Sequence, residues 1–294
     1  MSDPADAEVF APGVFAPGLL AGKVALVTGG GSGIGYGIAR GLAAGGASLT
    51  LFSRDAARLD TAADRLAGAP AGRPLTVAGD VRDPESIRAA VSRTMDGHGR
   101  LDILINNAAG NFYAPSAELS PNGWRAVIEI DLFGTFYACQ AVYPLMAGQR
   151  FGRIVSISMT LHHRGWPLMA HATAAKAGVD ALTRTLALEW ARDGINLNAV
   201  APGPIPTEGV RKAFTPPTGV GEGGAGGDAD MFGERAMEGF ARRFIPVGRL
   251  GTPSDIADMV TFLVSPAGDW ITGGVFVVDG GESLASPRTI PDRR

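Results

Sequence analysis

The sequence predicts a doubly wound α/β domain, in which helices cover both faces of a parallel sheet. Three observations predict it. Short runs that are apolar throughout alternate with longer polar or helical stretches, the pattern of strands buried on both faces. A glycine-rich turn, Thr28-Gly29-Gly30-Gly31-Ser32-Gly33-Ile34-Gly35, directly follows the first apolar run and opens a helix. The chain's 294 residues are 46% hydrophobic and 19% charged, which suits one large core.

Taken in order, residues 1–21 hold three prolines and no clear period, so they are expected to form a loosely held arm before a single domain over 22–294. Lys23 to Thr28 is the first strand, and a helix starts near Ile34. Ala47 to Ser53 is the second strand, and Asp55 to Leu66 a polar helix. Leu75 to Ala78 follows as a strand, then a helix from Pro84. Leu101 to Ile105 precedes one long helix from about Pro121 to Met146. Ile154 to Ile157 is the fifth strand. The next helix contains Lys176 and carries Val179, Leu182, Leu186 and Trp190 as an apolar stripe at spacings of 3, 4 and 4. Leu197 to Val200 and Val275 to Val278 complete the strands. Thr215 to Asp230 holds six glycines and two prolines, so it is an irregular insertion, either a plain surface loop or a lid over a cleft.

A net charge of −3 gives no support to broad nucleic-acid or membrane-surface binding. No apolar run reaches the length of a membrane-spanning helix. The start, Met1-Ser2-Asp3-Pro4, lacks the basic residues of a signal peptide, and the end, Pro291-Asp292-Arg293-Arg294, is unlike a Ser-Lys-Leu address; a soluble cytoplasmic protein is expected. Cys139 sits alone in an apolar run and reads as a small core residue.

The glycine-rich turn is the first candidate site. Its glycines let backbone approach a pyrophosphate and let helix pack on strand, while the helix N-terminus offers free N–H groups and positive dipole. Thr28, Gly29, Gly31, Ser32, Gly33, Ile34 and Gly35 are therefore cofactor candidates. The second strand ends Ser53-Arg54, with Arg58 a helical turn later. An acidic residue there would accept from a ribose 2′-hydroxyl; guanidinium groups suit a 2′-phosphate instead, so NADP is expected over NAD. Solvated surface arginines remain the alternative. Asp80 and Val81 end the third strand, where a carboxylate is placed to accept from an adenine amino group.

These landmarks, with Asn106-Asn107-Ala108-Ala109-Gly110, Lys176 and Pro202-Gly203-Pro204-Ile205, resemble the short-chain dehydrogenase/reductase family over roughly Gly22 to Gly281. The resemblance implies a Rossmann fold. It also implies that Asn107, Ala108, Ala109, Lys176, Pro202, Gly203, Pro204, Ile205 and Thr207 surround the nicotinamide half of the cofactor, and that the protein is a homotetramer.

Two positions depart from the usual pattern. Four residues before Lys176, where a phenol would share its helix face, stands Ala172; where the pattern has a helix asparagine stands Asp131. With Asn111-Phe112, Gly134-Thr135-Phe136, Leu161, His171-Ala172 and Thr207-Glu208-Gly209, this is similar to 2,4-dienoyl-CoA reductases of the peroxisomal type. Reduction of a ketone needs a proton donor at the carbonyl oxygen. A dienoyl thioester instead spreads charge along its conjugated chain to the thioester oxygen and then takes a proton on carbon. Asp131 and Lys176 are thus the catalytic candidates, Asp131 supplying or positioning the proton source; a purely structural Asp131 is the alternative. By the same resemblance, Arg54, Arg82, Phe112, Ser120, Pro121, Asn122, His171 and Arg211 are expected to contact an acyl-CoA substrate. Ser158 has no phenol to pair with, and Asp279 either reaches the site or caps a turn. His162 and His163 are adjacent and expected to face apart, which argues against a metal. Three functions stay open: a dienoyl-CoA reductase, a reductase of another carbonyl such as a 3-oxoacyl thioester, and a non-catalytic NADP-binding protein.

Overall fold

The computed structural model describes residues 14–207 and 234–285. Seven parallel strands form one sheet: β1 (Val24–Thr28), β2 (Ser48–Ser53), β3 (Leu75–Ala78), β4 (Ile103–Asn106), β5 (Gly152–Ile157), β6 (Ile195–Pro202) and β7 (Val275–Val278). Their order across the sheet is β3-β2-β1-β4-β5-β6-β7. β1 pairs with β2 from Val24–Ser48 to Thr28–Phe52, and on its other side with β4 from Ala25–Ile103. The chain therefore reverses direction across the sheet between β1 and β4, and the carboxyl ends of those strands flank a crevice.

Helices α1 (Gly33–Ala44), α2 (Ala56–Arg65), α3 (Pro84–His98), α4 (Pro121–Ile128), α5 (Gly134–Gln149), α6 (Ala170–Trp190), α7 (Glu234–Phe244) and α8 (Pro253–Val264) connect the strands. Their starts follow local chemistry. Asp55 caps α2 by accepting from the Arg58 N–H, and Asp83 caps α3 by accepting from Glu85 and Ser86. Thr252 and Asp255 form a reciprocal capping box on α8, with Pro253 in its first turn. The Arg249 guanidinium on Asp255 holds that carboxyl far below the usual range.

Each sheet face buries its own core. On one face Val27, Leu51 and Ile105 meet Ile38 and Leu42 of α1, Leu59 of α2 and Val260 of α8. On the other, Leu26, Leu104 and Ile154 meet Ile87 of α3, Val142 and Met146 of α5 and Leu186 of α6. Cys139 lies in this second core, where burial pushes its thiol up to about 12. No helix of the described residues is long and apolar enough to cross a membrane.

Two expectations change. The arm is not loose to residue 21: Leu20 is buried against the first core, and its N–H donates to the Gly45 carbonyl at 2.7 Å. The long helix expected from Pro121 to Met146 is interrupted by a π-helical turn, Glu129–Phe133, between α4 and α5. Residues 1–13 of the arm and the glycine-rich stretch 215–230 lie outside the described residues.

Candidate active site

The turn between β1 and α1 is pinned from behind. The Thr28 hydroxyl donates to the Ile105 carbonyl at 3.2 Å and accepts from the Asn107 and Ala108 N–H groups at 3.0 and 3.1 Å. The Asn107 amide donates to the Thr28 and Gly29 carbonyls. One polar strand end and one loop thus lock the two sides of the crevice together. Gly33 has φ +56°, a conformation strained for any other residue, and a Cβ on Gly35 would lie 2.3 Å from the Gly29 carbonyl oxygen and force the backbone to move. Ser32 precedes α1 with an extended backbone and no side-chain cap, and no acidic residue sits in the first turn.

Beside this turn lies a cavity of about 310 Å³, lined by Gly31, Ser32, Tyr36, Arg58, Thr61 and Arg65 among others. Ser53 and the exposed Arg54 close the end of β2 nearby. At the end of β3 the Asp80 carboxylate is gripped by Arg82 through bonds of 3.0 and 2.5 Å. That guanidinium holds the Asp80 carboxyl below its usual range, so the two residues expected to serve adenine and CoA separately satisfy each other here. Val81 is buried and packs on Gly134.

Asp131 sits in the π-helical turn, 2% exposed. An inserted residue in a helix shifts the register of side chains, and such turns gather at functional sites. Here the carboxylate is turned inward: one oxygen accepts from the Gly110 N–H at 2.8 Å, and the other lies 3.4 Å from Lys176 Nζ. Lys176 is buried as well and donates to the Ile157 carbonyl at 2.8 Å. Burial raises the Asp131 pKa above that of a free aspartate, while Lys176 and the Gly110 N–H pull it back down. The structure brings both catalytic candidates together from separate elements.

Ala172 is 1% exposed, and its methyl group packs with Val127 and Met169 against Phe112, Met159, Leu161 and Trp166. The place of a phenol is therefore a dry apolar wall. His171 is buried beside it, edge-on to Phe112 at 4.5 Å between ring centres. Burial lowers its pKa and favours the neutral ring.

Other candidates are occupied elsewhere. Ser158 donates to Asp180 at 2.6 Å rather than facing Lys176. Asp279 accepts from the Gly281 and Ser283 N–H groups, which is the turn-capping role. Ser120 accepts from the Gly123 N–H and Pro121 occupies the first turn, so Ser120-Pro121-Asn122 is the start of α4. Arg211 lies outside the described residues. Pro202 ends β6; Gly203 is pressed against Asp279, Pro204 accepts from Gly251, Ile205 is buried, and Thr207 touches Gly33 across the crevice.

The two histidines overturn an expectation. They do not face apart: His162 Nε2 is 2.8 Å and His163 Nε2 3.9 Å from the same Asp180 oxygen. Sequence reading also missed the ion pair between Arg164 and the buried Glu282, which ties the loop after β5 to the turn after β7. It missed Trp166 and Met169 in the apolar wall too; their one local signal is an aromatic residue between Gly165 and Pro167.

Residues 23–217 match the family model described as short chain dehydrogenase, and residues 226–283 one described as enoyl-(acyl carrier protein) reductase. The chain belongs to the short-chain dehydrogenase/reductase family. Among similar proteins, the peroxisomal 2,4-dienoyl-CoA reductase [(3E)-enoyl-CoA-producing] of Danio rerio is 42% identical over 94% of this chain and 87% of its own length. The probable 2,4-dienoyl-CoA reductase [(2E)-enoyl-CoA-producing] of Bacillus subtilis is 37% identical over 89% and 97%. A 3-ketoacyl-(acyl-carrier-protein) reductase from Brucella melitensis, crystallised with NADH, superposes with a TM-score of 0.78 at 29% identity, covering 90% of this chain and 99% of that one.

Short-chain dehydrogenases/reductases are nicotinamide-dependent oxidoreductases, and the turn fits that cofactor: Gly33 has a positive φ, a Cβ on Gly35 would run into the Gly29 backbone, and the first turn of α1 holds no carboxylate. When bound, the nicotinamide supplies or accepts a hydride. What sets this member apart is the setting of its lysine: Ala172 stands at the phenol's place, and the asparagine's place holds a buried carboxylate, Asp131, 3.4 Å from Lys176 Nζ.

Proposed function

We propose that the protein reduces 2,4-dienoyl-CoA thioesters with NADPH to 3-enoyl-CoA, as a step in the breakdown of unsaturated fatty acids. The observation that carries this reading is Ala172 in its apolar wall, one helical turn before the lysine of a buried Asp131–Lys176 pair. A ketone reductase needs an acid at the carbonyl oxygen in the reducing step. The wall offers none, but it suits a flat conjugated chain. When hydride reaches the δ-carbon, charge moves to the thioester oxygen, and a proton must then arrive at the α-carbon to leave a 3,4 double bond. Asp131, lifted by burial and steadied by the Gly110 N–H, holds that proton or the water carrying it. Lys176 supplies positive potential and, as its relatives imply, binds ribose hydroxyls.

Arg58 lines the cavity, Arg54 follows β2, and the last residue of that strand is Ser53 rather than a carboxylate; Asp55 pairs with Arg58 at 3.7 Å but caps α2, and the two guanidinium groups support NADPH over NADH. Phe133 and Phe136 are 44% and 38% exposed on one stretch of helix, which supports a homotetramer, and a cytoplasmic location completes the proposal.

The test compares NADPH oxidation with a 2,4-dienoyl-CoA and with a 3-oxoacyl-CoA, followed by NMR of the product. Turnover of the dienoyl substrate to a 3-enoyl product supports the reading. Turnover confined to the 3-oxoacyl substrate, or tight NADPH binding with neither reaction, removes it.

A further inference from the structure

We propose that His162, His163 and Asp180 form a binding site for a borderline divalent cation of the Zn²⁺ class, which clamps the turn after β5 onto α6. Three ligand atoms, one from each residue, lie within 4.8 Å of one another. The Asp180 oxygen is 2.8 Å from His162 Nε2 and 3.9 Å from His163 Nε2. Metal–ligand bonds of about 2.0–2.1 Å in a tetrahedral arrangement place neighbouring ligand atoms about 3.3 Å apart. The Asp180–His162 gap must open and the Asp180–His163 gap close by about half an ångström, and the gap between the histidine nitrogens, at most 4.8 Å, must close by up to about 1.5 Å, all by side-chain rotation.

The donor set is two imidazoles and one carboxylate, a combination that selects zinc-like ions over calcium or magnesium. With two neutral rings and one carboxylate the occupied site carries a single net positive charge. A fourth position is left for water.

The surroundings fit. Asp180 is 3% exposed, and its second oxygen accepts from the buried Ser158 hydroxyl at 2.6 Å, the kind of outer contact that aims a metal-binding carboxylate. The His162 side chain is nine-tenths buried; its Nδ1 has no hydrogen-bond partner, so Asp180 and the edge of the His163 ring orient it. His163 is 43% exposed and opens the entry path.

The site neighbours the catalytic pair without sharing a residue with it: Asp180, one helical turn beyond Lys176, is bonded to Ser158 and His162, whereas Lys176 donates to Ile157 and faces Asp131. It is nonetheless built into the same segment. The turn Leu161–His163 leads into Trp166 and Met169, which wall the Ala172 pocket, so an ion there would hold one side of that pocket in place.

Full-length protein stripped with a chelator is titrated with Zn²⁺ alone by calorimetry, and with Co²⁺ for its visible spectrum. His162→Gln and His163→Gln are run in parallel, with NADPH binding as the check that each variant is folded. About one ion per chain, a four-coordinate Co²⁺ spectrum, a Zn²⁺-dependent rise in Tm, and at least a 100-fold loss of affinity in each variant are expected. Absence of stoichiometric binding to the wild type overturns the proposal, as does undiminished binding in the two variants. Because His163 is 43% exposed, its variant decides the matter even if His162→Gln or Asp180→Asn fails to fold.

Discussion

Asp131 is caught between a dry environment that favours its neutral form and two groups, Lys176 and the Gly110 N–H, that favour its charge. Its titration therefore falls above the 3.8 of a free aspartate. If the carboxyl is the proton source, the active form is protonated, and kcat falls as pH rises through that raised pKa. Asp131→Asn should lose the falling limb, and Asp131→Ala should lose about two to four orders of magnitude in kcat while NADPH affinity stays nearly constant. A pH profile in Asp131→Asn that keeps the wild-type limb would assign the proton to water. Ala172 argues the same chemistry from the other side. Its methyl is enclosed by Met159, Leu161 and Phe112, so Ala172→Tyr must push a ring into filled space. A destabilisation of about 1–3 kcal/mol and a loss of dienoyl turnover, with no ketone reduction gained, are expected from denaturant melts and steady-state assays.

Among the elements, the π-helical turn was the hardest to anticipate. Glu129–Phe133 reads in sequence as ordinary helix between α4 and α5, because one extra residue per turn leaves no mark in composition. Strands and helix starts were legible for the opposite reason: their signals are local. β3 and β7 match their apolar runs residue for residue, and Asp83-Pro84 announces α3 through its own cap. The half of the site made by the Thr28–Gly35 turn was equally local. The half made by Gly110, Ile157 and Asp180 was not, since those contacts bridge residues 19 to 22 apart in sequence. The docking of Leu20 belongs to this scale too. It looked like the tail of a proline-rich arm, yet it fills space beside α1 and covers Gly45. Leu20→Ala should cost about 2–5 kcal/mol in urea unfolding, as for other buried leucines. A change below about 0.5 kcal/mol would return the whole arm to the solvent.

The whole molecule places its chemistry where the sheet reverses order. Thr28 on β1 and Asn107 after β4 bond across that reversal, and Asp131 and Lys176 approach it from α5's leading turn and from α6. The segment carrying Asp131 also carries Phe133 and Phe136, which lean on Tyr137 and leave aromatic surface uncovered at the outer side of the same helix. A patch of that kind on a chain this size is expected to meet another copy. If it does, assembly and catalysis share one element, and loosening the contact should reach the carboxylate before it reaches the nucleotide turn on the far side of β1. Phe136→Glu is accordingly expected to reduce the mass measured by light scattering to half or less and to lower kcat several-fold. NADPH affinity should change by less than about twofold, because the nucleotide turn is held by Asn107, Thr28 and Thr207 rather than by α5. An unchanged mass would show that the aromatic patch serves no assembly, and a large fall in NADPH affinity would show that the two halves of the crevice are coupled through α5.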